Sequence, residues 1–284
     1  KLDEARSALS QAKSKGLTKD RFNILEERLG KYLSEAERLL DPPQDKVQPL
    51  INLYNQKQNE TALKKALALL LEFPRSVTLL NIVGATNQRL GKLEKAIESY
   101  RKAIELNPNN VQTHNNLGNV LKDQKNFSEA IIAYENAISI KPNYVRSYYN
   151  IGTIFEQQGK LDKALENYNK AISIKPDYTQ AIFATGKVFE DQGNLREAIK
   201  AYKKVLSVTP DFLSAHINMG NAFKEQSNFE AAIEAYNTAL SINPDYADAF
   251  YNLGDVLREI GKNEEAITAY YKAVSIKPDC PGYY

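Results

Sequence analysis

Apolar residues recur along this chain in paired short stripes of helical period. Between 145 and 178 one stripe is Tyr148, Ile151 and Phe155, and a second is Leu161, Ala164, Leu165, Tyr168 and Ile172. The turn "QQGK" joins them, with Gly159 suited to the positive φ that ends a helix. The second helix stops before Pro176, because the residue preceding a proline is pushed out of the α region. Asp177 then stands where it can cap the next helix, as do Asn143, Asp211 and Asp245. The same pattern returns every 34 residues: prolines at 74, 108, 142, 176, 210, 244 and 278, with matching series of glycines from 84, alanines from 96 and tyrosines from 100. The spacing predicts helices over about 77–90 and 94–106, repeated at each 34-residue step. One such hairpin cannot bury its apolar face alone, so the prediction is an all-α solenoid of stacked antiparallel helix pairs.

Numbering each unit from 77, 111, 145, 179, 213 and 247 gives a small residue at position 8, alanine at 20, an aromatic at 24, a small residue at 27 and proline at 32. Val205 is the departure at position 27. This closely resembles the tetratricopeptide repeat family, and the resemblance implies a right-handed superhelical solenoid with units at 77–110, 111–144, 145–178, 179–212, 213–246 and 247–280. Thr185 at position 7, Asn263 at position 17, and Lys125 and Ser227 at the turn-glycine position are further departures, expected to loosen packing or turns without changing the fold. Residues 43–76 read as a degenerate unit, in which Pro49 should shorten the first helix and Lys57 replaces the turn glycine.

The segment before it, 1–42, reads as a helical hairpin split at Gly16. Its second helix, about 19–40, carries Phe22, Leu25, Leu29, Tyr32, Leu33, Ala36 and Leu40 at helical spacing, and its expected role is to cap the N-terminal end of the array. At the other end, residues 281–284 open a further first helix. The expectation there is of a longer protein, whose next element covers Ala273, and of self-association through that end without it.

Composition narrows the chemistry. Lys plus Arg is 37 against 35 for Asp plus Glu, a net charge of +2, which provides no general drive toward nucleic acid or acidic membrane. No apolar run reaches the length of a bilayer span, so no membrane insertion is expected. Cys280 is the one cysteine and fits a reducing, cytoplasmic setting. The sequence holds no Gly-rich phosphate loop and no GxSxG. His114 and His216 both occupy position 4, three repeats apart, where a shared metal is out of reach and packing roles are expected. Position-24 tyrosines read as core, and no basic stripe accompanies them for nucleic acid. The sequence therefore predicts no catalytic residue, cofactor or metal.

The remaining signal is position 6: Ile82, Asn116, Asn150, Ala184, Asn218 and Asn252. Asparagine inside a helix costs up to about 0.7 kcal/mol against alanine, so its recurrence asks for a reason. In the tetratricopeptide family the first helices line the concave face, with positions 2, 5, 6, 9, 12 and 13 in the groove. A side-chain amide both donates and accepts. Adjacent helices lie about 8–10 Å apart and an extended chain advances about 3.3 Å per residue, so one amide per repeat matches every third ligand residue. A similar asparagine ladder lines the repeats of the O-linked N-acetylglucosamine transferases, which these units resemble. The alternative is that each amide bonds a neighbouring helix. Tyr149, Phe183 and Tyr251 at position 5, and Asn119, Lys187, Asn221 and Asp255 at position 9, complete the expected groove, although position 5 side chains can also pack inward. The reading is a non-catalytic scaffold that binds an extended protein segment. The alternatives are a substrate-recruiting arm of a glycosyltransferase or sulfotransferase, and a homotypic assembly scaffold.

Overall fold

The computed structural model describes residues 41–279, together with the helical positions 11, 23–25, 27 and 28. The expected capping hairpin and the last five residues, Cys280 among them, otherwise lie outside the described residues. The chain divides into two compact units, Lys1–Lys141 and Pro142–Tyr284. Among the described residues both are helical throughout.

The first unit holds α1 (Gln44–Asn55), α2 (Asn59–Glu72), α3 (Val77–Arg89), α4 (Leu93–Leu106), α5 (Val111–Asp123) and α6 (Phe127–Ile140). The second holds α7 (Val145–Gln157), α8 (Leu161–Ile174), α9 (Thr179–Asp191), α10 (Leu195–Val208), α11 (Leu213–Glu225), α12 (Phe229–Ile242), α13 (Ala247–Glu259) and α14 (Asn263–Ile276). Within each unit consecutive helices form hairpins, the second helix of a hairpin packs on the first helix of the next, and successive first helices touch: α1, α3 and α5 in one, α7, α9, α11 and α13 in the other.

The repeated small and aromatic residues explain this packing. The alanines at positions 20 and 27 are buried from Ala96 to Ala273, and Val205 is accommodated in the core. Each position-8 glycine lies against the ring of the position-24 tyrosine of its own hairpin; a Cβ on Gly118 would fall 2.5 Å from Cε1 of Tyr134. The pair thus sets how closely the two helices of a hairpin approach. Turns keep one backbone form whatever their sequence. Gly91, Gly159, Gly193 and Gly261 have φ between 70° and 79°, while Lys57, Lys125 and Ser227 take φ of 61°, 61° and 59°. These three hold the left-handed conformation against a Cβ clash rather than changing the turn.

Three expectations need correction. Pro49 does not curtail the first helix: α1 runs 12 residues straight through it. Asp177, Asp211 and Asp245 are not N-caps. Each sits inside a turn closed by the next residue, as in Tyr178 N–H to Lys175 O at 3.0 Å, so the cap falls on Tyr178, Phe212 or Tyr246 without a side-chain cap bond. Asn143 likewise precedes the cap, which is Tyr144. Side-chain caps occur instead at Ser76, Asn110, Asn126 and Asn228. Finally, Ala273 is fully buried, and the exposed apolar residues of α14 are Ile267 and Tyr271, the latter 73% exposed.

Candidate functional site

In the second unit, α7, α9, α11 and α13 lie side by side and bring the same repeat positions into rows. The tyrosine beneath them organises the rows. Buried at position 24, its hydroxyl needs an acceptor, and the chain supplies one in two ways. Tyr236 donates to Asn221 Oδ1 at 2.7 Å and Tyr270 to Asp255 Oδ1 at 2.9 Å, both position-9 residues. Tyr168 donates to Glu156 Oε2 and Tyr202 to Glu190 Oε2, both at 2.5 Å and both from position 12. The first unit repeats the former arrangement, with Tyr134 donating to Asn119 Oδ1 at 2.8 Å. Where position 9 offers an acceptor, position 12 is basic (Lys122, Lys224, Arg258); where position 9 is Thr153 or Lys187, position 12 is a glutamate.

This exchange also places charge between repeats. Lys187 Nζ lies 3.1 Å from Glu156 Oε1, and Lys224 Nζ lies 3.7 Å from Asp255 Oδ2, each pairing one first helix with the next. Glu190 differs. Burial raises its carboxyl above the usual range, its bond from Tyr202 opposes that, and the charges of Glu225 and Asp191 add to the rise. All six position-24 phenols are pushed up by burial, Tyr270 to about 12.

The ladder asparagines Asn116, Asn150, Asn218 and Asn252 are half-buried on the first helices. Asn252 Nδ2 donates to Asn221 Oδ1 of the preceding repeat at 3.2 Å. Asn218 Nδ2 stands 3.5 Å from Tyr202 Oη, and Asn116 Nδ2 stands 3.5 Å from Asn81 Oδ1 while its Oδ1 accepts from Gln112 at 2.9 Å. For Asn218 and Asn252 these contacts use the donor half of the amide. Position 5 leans on the tyrosine layer: Tyr149 lies 5.7 Å from both Tyr168 and Tyr178, Phe183 lies 5.1 Å from Phe212, and Tyr251 lies 5.5 Å from Tyr270. These rings are part floor, part wall, since all three keep partial exposure. Both histidines are buried, and Nε2–H of each donates to the carbonyl of the preceding turn proline, His114 to Pro108 at 2.8 Å and His216 to Pro210 at 2.9 Å. They tie each first helix to the turn before it.

The tyrosine–acceptor exchange escaped the sequence reading, although it was legible there. It needed positions 9, 12 and 24 compared across repeats, rather than position 9 taken alone as a groove row.

Family models decide what these hairpins are. A TPR repeat model matches residues 89–125, 118–159, 186–227 and 220–257, and a tetratricopeptide repeat model matches 145–178 and 247–280. The chain belongs to the tetratricopeptide repeat family. Solved tetratricopeptide structures share the fold. The C-terminal part of a TPR repeat-containing protein from Cytophaga hutchinsonii aligns at a TM-score of 0.68 and 15% identity, covering 84% of this chain and 97% of its own. YrrB, described as a TPR protein with an unusual peptide-binding site, aligns at 0.56 and 22% identity over 65% of this chain and 95% of its own. MamA aligns at 0.53 and 25% identity over 61% and 94%. Comparison with curated protein sequences gave no match. These matches establish the family and leave its transferase branch aside.

Proposed function

We propose that this tetratricopeptide array is an interaction scaffold whose first-helix face holds an extended protein segment, gripped through its backbone by the position-6 amides. The observation that carries the reading is the row itself: Asn150, Asn218 and Asn252 recur half-buried on first helices that touch in series. The neighbouring-helix contacts of Asn218 and Asn252 use Nδ2. In these two the acceptor half is left for a ligand N–H, while Asn116 uses its own to accept from Gln112 at 2.9 Å. Lys187 and Asp255 are neutralised in cross-repeat pairs and hold the wall together, so ligand side chains meet Tyr149, Phe183 and Tyr251. Backbone capture with an aromatic wall predicts broad sequence tolerance and a preference for apolar side chains. YrrB, which shares the fold, is described as peptide-binding, in accord with this reading.

Fluorescence anisotropy with a panel of labelled unstructured peptides tests it. Replacing Asn116, Asn150, Asn218 and Asn252 with alanine should weaken every binder in the panel by a similar factor while leaving the helical content intact. Unchanged affinities across the panel would overturn it.

A further inference from the structure

Between α2 and α4, with α3 as its floor, the first unit holds a cavity of about 870 Å³. One wall is the row Leu63, Leu67, Leu70 and Leu71 of α2, and the other is Lys95, Glu98, Ser99 and Lys102 of α4. Leu80, Val83 and Asn87 of α3 line the floor. Equivalent repeat positions form the next groove, between α4 and α6 over α5, yet that cavity is about 320 Å³.

Three departures from the repeat meet in the larger cavity. Leu67 and Leu71 stand at positions 25 and 29, where the next unit has Arg101 and Glu105. They are 45% and 86% exposed, so packing between repeats does not account for them. Asn87 stands at position 11, where the later units have Leu121, Phe155, Phe189, Phe223 and Leu257. It is 4% exposed, and its Oδ1 is buried without a hydrogen-bond partner. A buried polar atom is normally bonded, so this one asks for a donor that the described chain does not provide. The last torsion of an amide side chain is broad, and a small turn about it presents Oδ1 to the cavity.

The walls define the donor's chemistry. The volume falls in the range of small-molecule sites, roughly 300–1,000 Å³. The charges of the α4 wall are matched within the chain: Lys102 lies 2.7 Å from Glu98 and Lys92 lies 3.3 Å from Glu60, while Lys95 and Glu105 are of opposite sign. This wall therefore offers lysine stems to an apolar chain and favours no charge on the ligand. From Asn87 to Leu80 is seven residues, about 10.5 Å of helix, which sets the length of a chain lying along the floor with its head at Asn87. We infer that this cavity binds a neutral medium-chain amphiphile, its alkyl chain on Leu67, Leu71 and Leu80 and an N–H or O–H of its head donating to Asn87 Oδ1. The site is separate from the position-6 row, so either can fail without the other.

Octanamide, which carries the donor, and methyl octanoate, which carries the chain without a donor, are the probes. Methyl NMR on the full chain with labelled leucine reads the binding. Octanamide should shift the methyls of Leu67, Leu71 and Leu80 saturably and leave Leu195 and Leu213 of the second unit unmoved. Methyl octanoate should bind about tenfold more weakly. Asn87→Ala keeps the cavity and removes the amide, so the two probes should bind it alike. Asn87→Leu restores the residue type of the later units; it should close the site to both probes and raise the melting temperature. Unmoved methyls, or equal affinities for the two probes with Asn87 in place, would overturn the inference. So would leucine shifts that follow protein concentration without probe, since that outcome seats a second copy in the cavity.

Discussion

A Cβ built on Gly152 would fall 2.5 Å from Cε1 of Tyr168, a separation that real side chains do not tolerate. The glycine of the first helix is therefore a socket for the tyrosine of the second. Gly152→Ala should destabilise the chain by about 1–3 kcal/mol through overpacking. In a double-mutant cycle with Tyr168→Leu most of that cost should vanish, because the clash needs the ring. Denaturant melts of the four proteins check this, and additive losses would place the strain elsewhere.

Ser227 holds φ at 59° where other units use glycine. Ser227→Gly removes the Cβ clash but adds unfolded-chain freedom, and the net expectation is a gain of about 0.5–1 kcal/mol. Lys125→Gly should behave alike. A thermal melt lower than wild type in both variants would show that the turn side chains contribute contacts of their own.

The position-24 tyrosines predict alkaline sensitivity. Each phenol is raised by burial, so the folded chain retains protons that the unfolded chain releases from about pH 10. Their stabilisation is complete below that pH and is lost as pH rises through about 12 for Tyr270. Circular dichroism melts between pH 8 and 12 should show stability falling from about pH 10 upward. Tyrosinate absorbance reaching the full value for all 17 tyrosines before helix is lost would contradict the burial account.

Glu190 gives a prediction of the same sign. Its carboxyl is raised mainly by burial, so the ionised form present at neutral pH opposes folding. Glu190→Gln keeps an acceptor for Tyr202 and removes the charge. Its melting temperature should exceed wild type at pH 7, and the gap should close as pH falls toward the ordinary carboxylate range near ~4.3, where the wild type takes up a proton. A variant less stable than wild type at pH 7 would mean that the charge strengthens the tyrosine bond more than burial penalises it.

Much of the fold was legible because one 34-residue pattern is restated, so Gly152, Tyr168 and Pro176 each have counterparts that vote for the same helix boundaries. The caps were misread because Pro-Asp reads equally as a turn and as a cap; the turn bond from Tyr178 to Lys175 decides between them, and it is a three-dimensional fact. The asparagine row was visible at once, but its contacts were not: whether Asn252 reaches Asn221 depends on the spacing of adjacent first helices, which no single unit encodes.

The central claim, capture of an extended segment by its backbone, is tested most directly on the ligand. For a peptide that binds the array, each backbone amide is replaced in turn by an ester, which removes one N–H and leaves the side chains unchanged. The account predicts affinity losses recurring at about every third residue, the step at which helices about 8–10 Å apart meet a chain advancing about 3.3 Å per residue. Scrambling the side-chain order should cost less than the worst single ester. Esters tolerated at every position, with binding lost on scrambling, would contradict it.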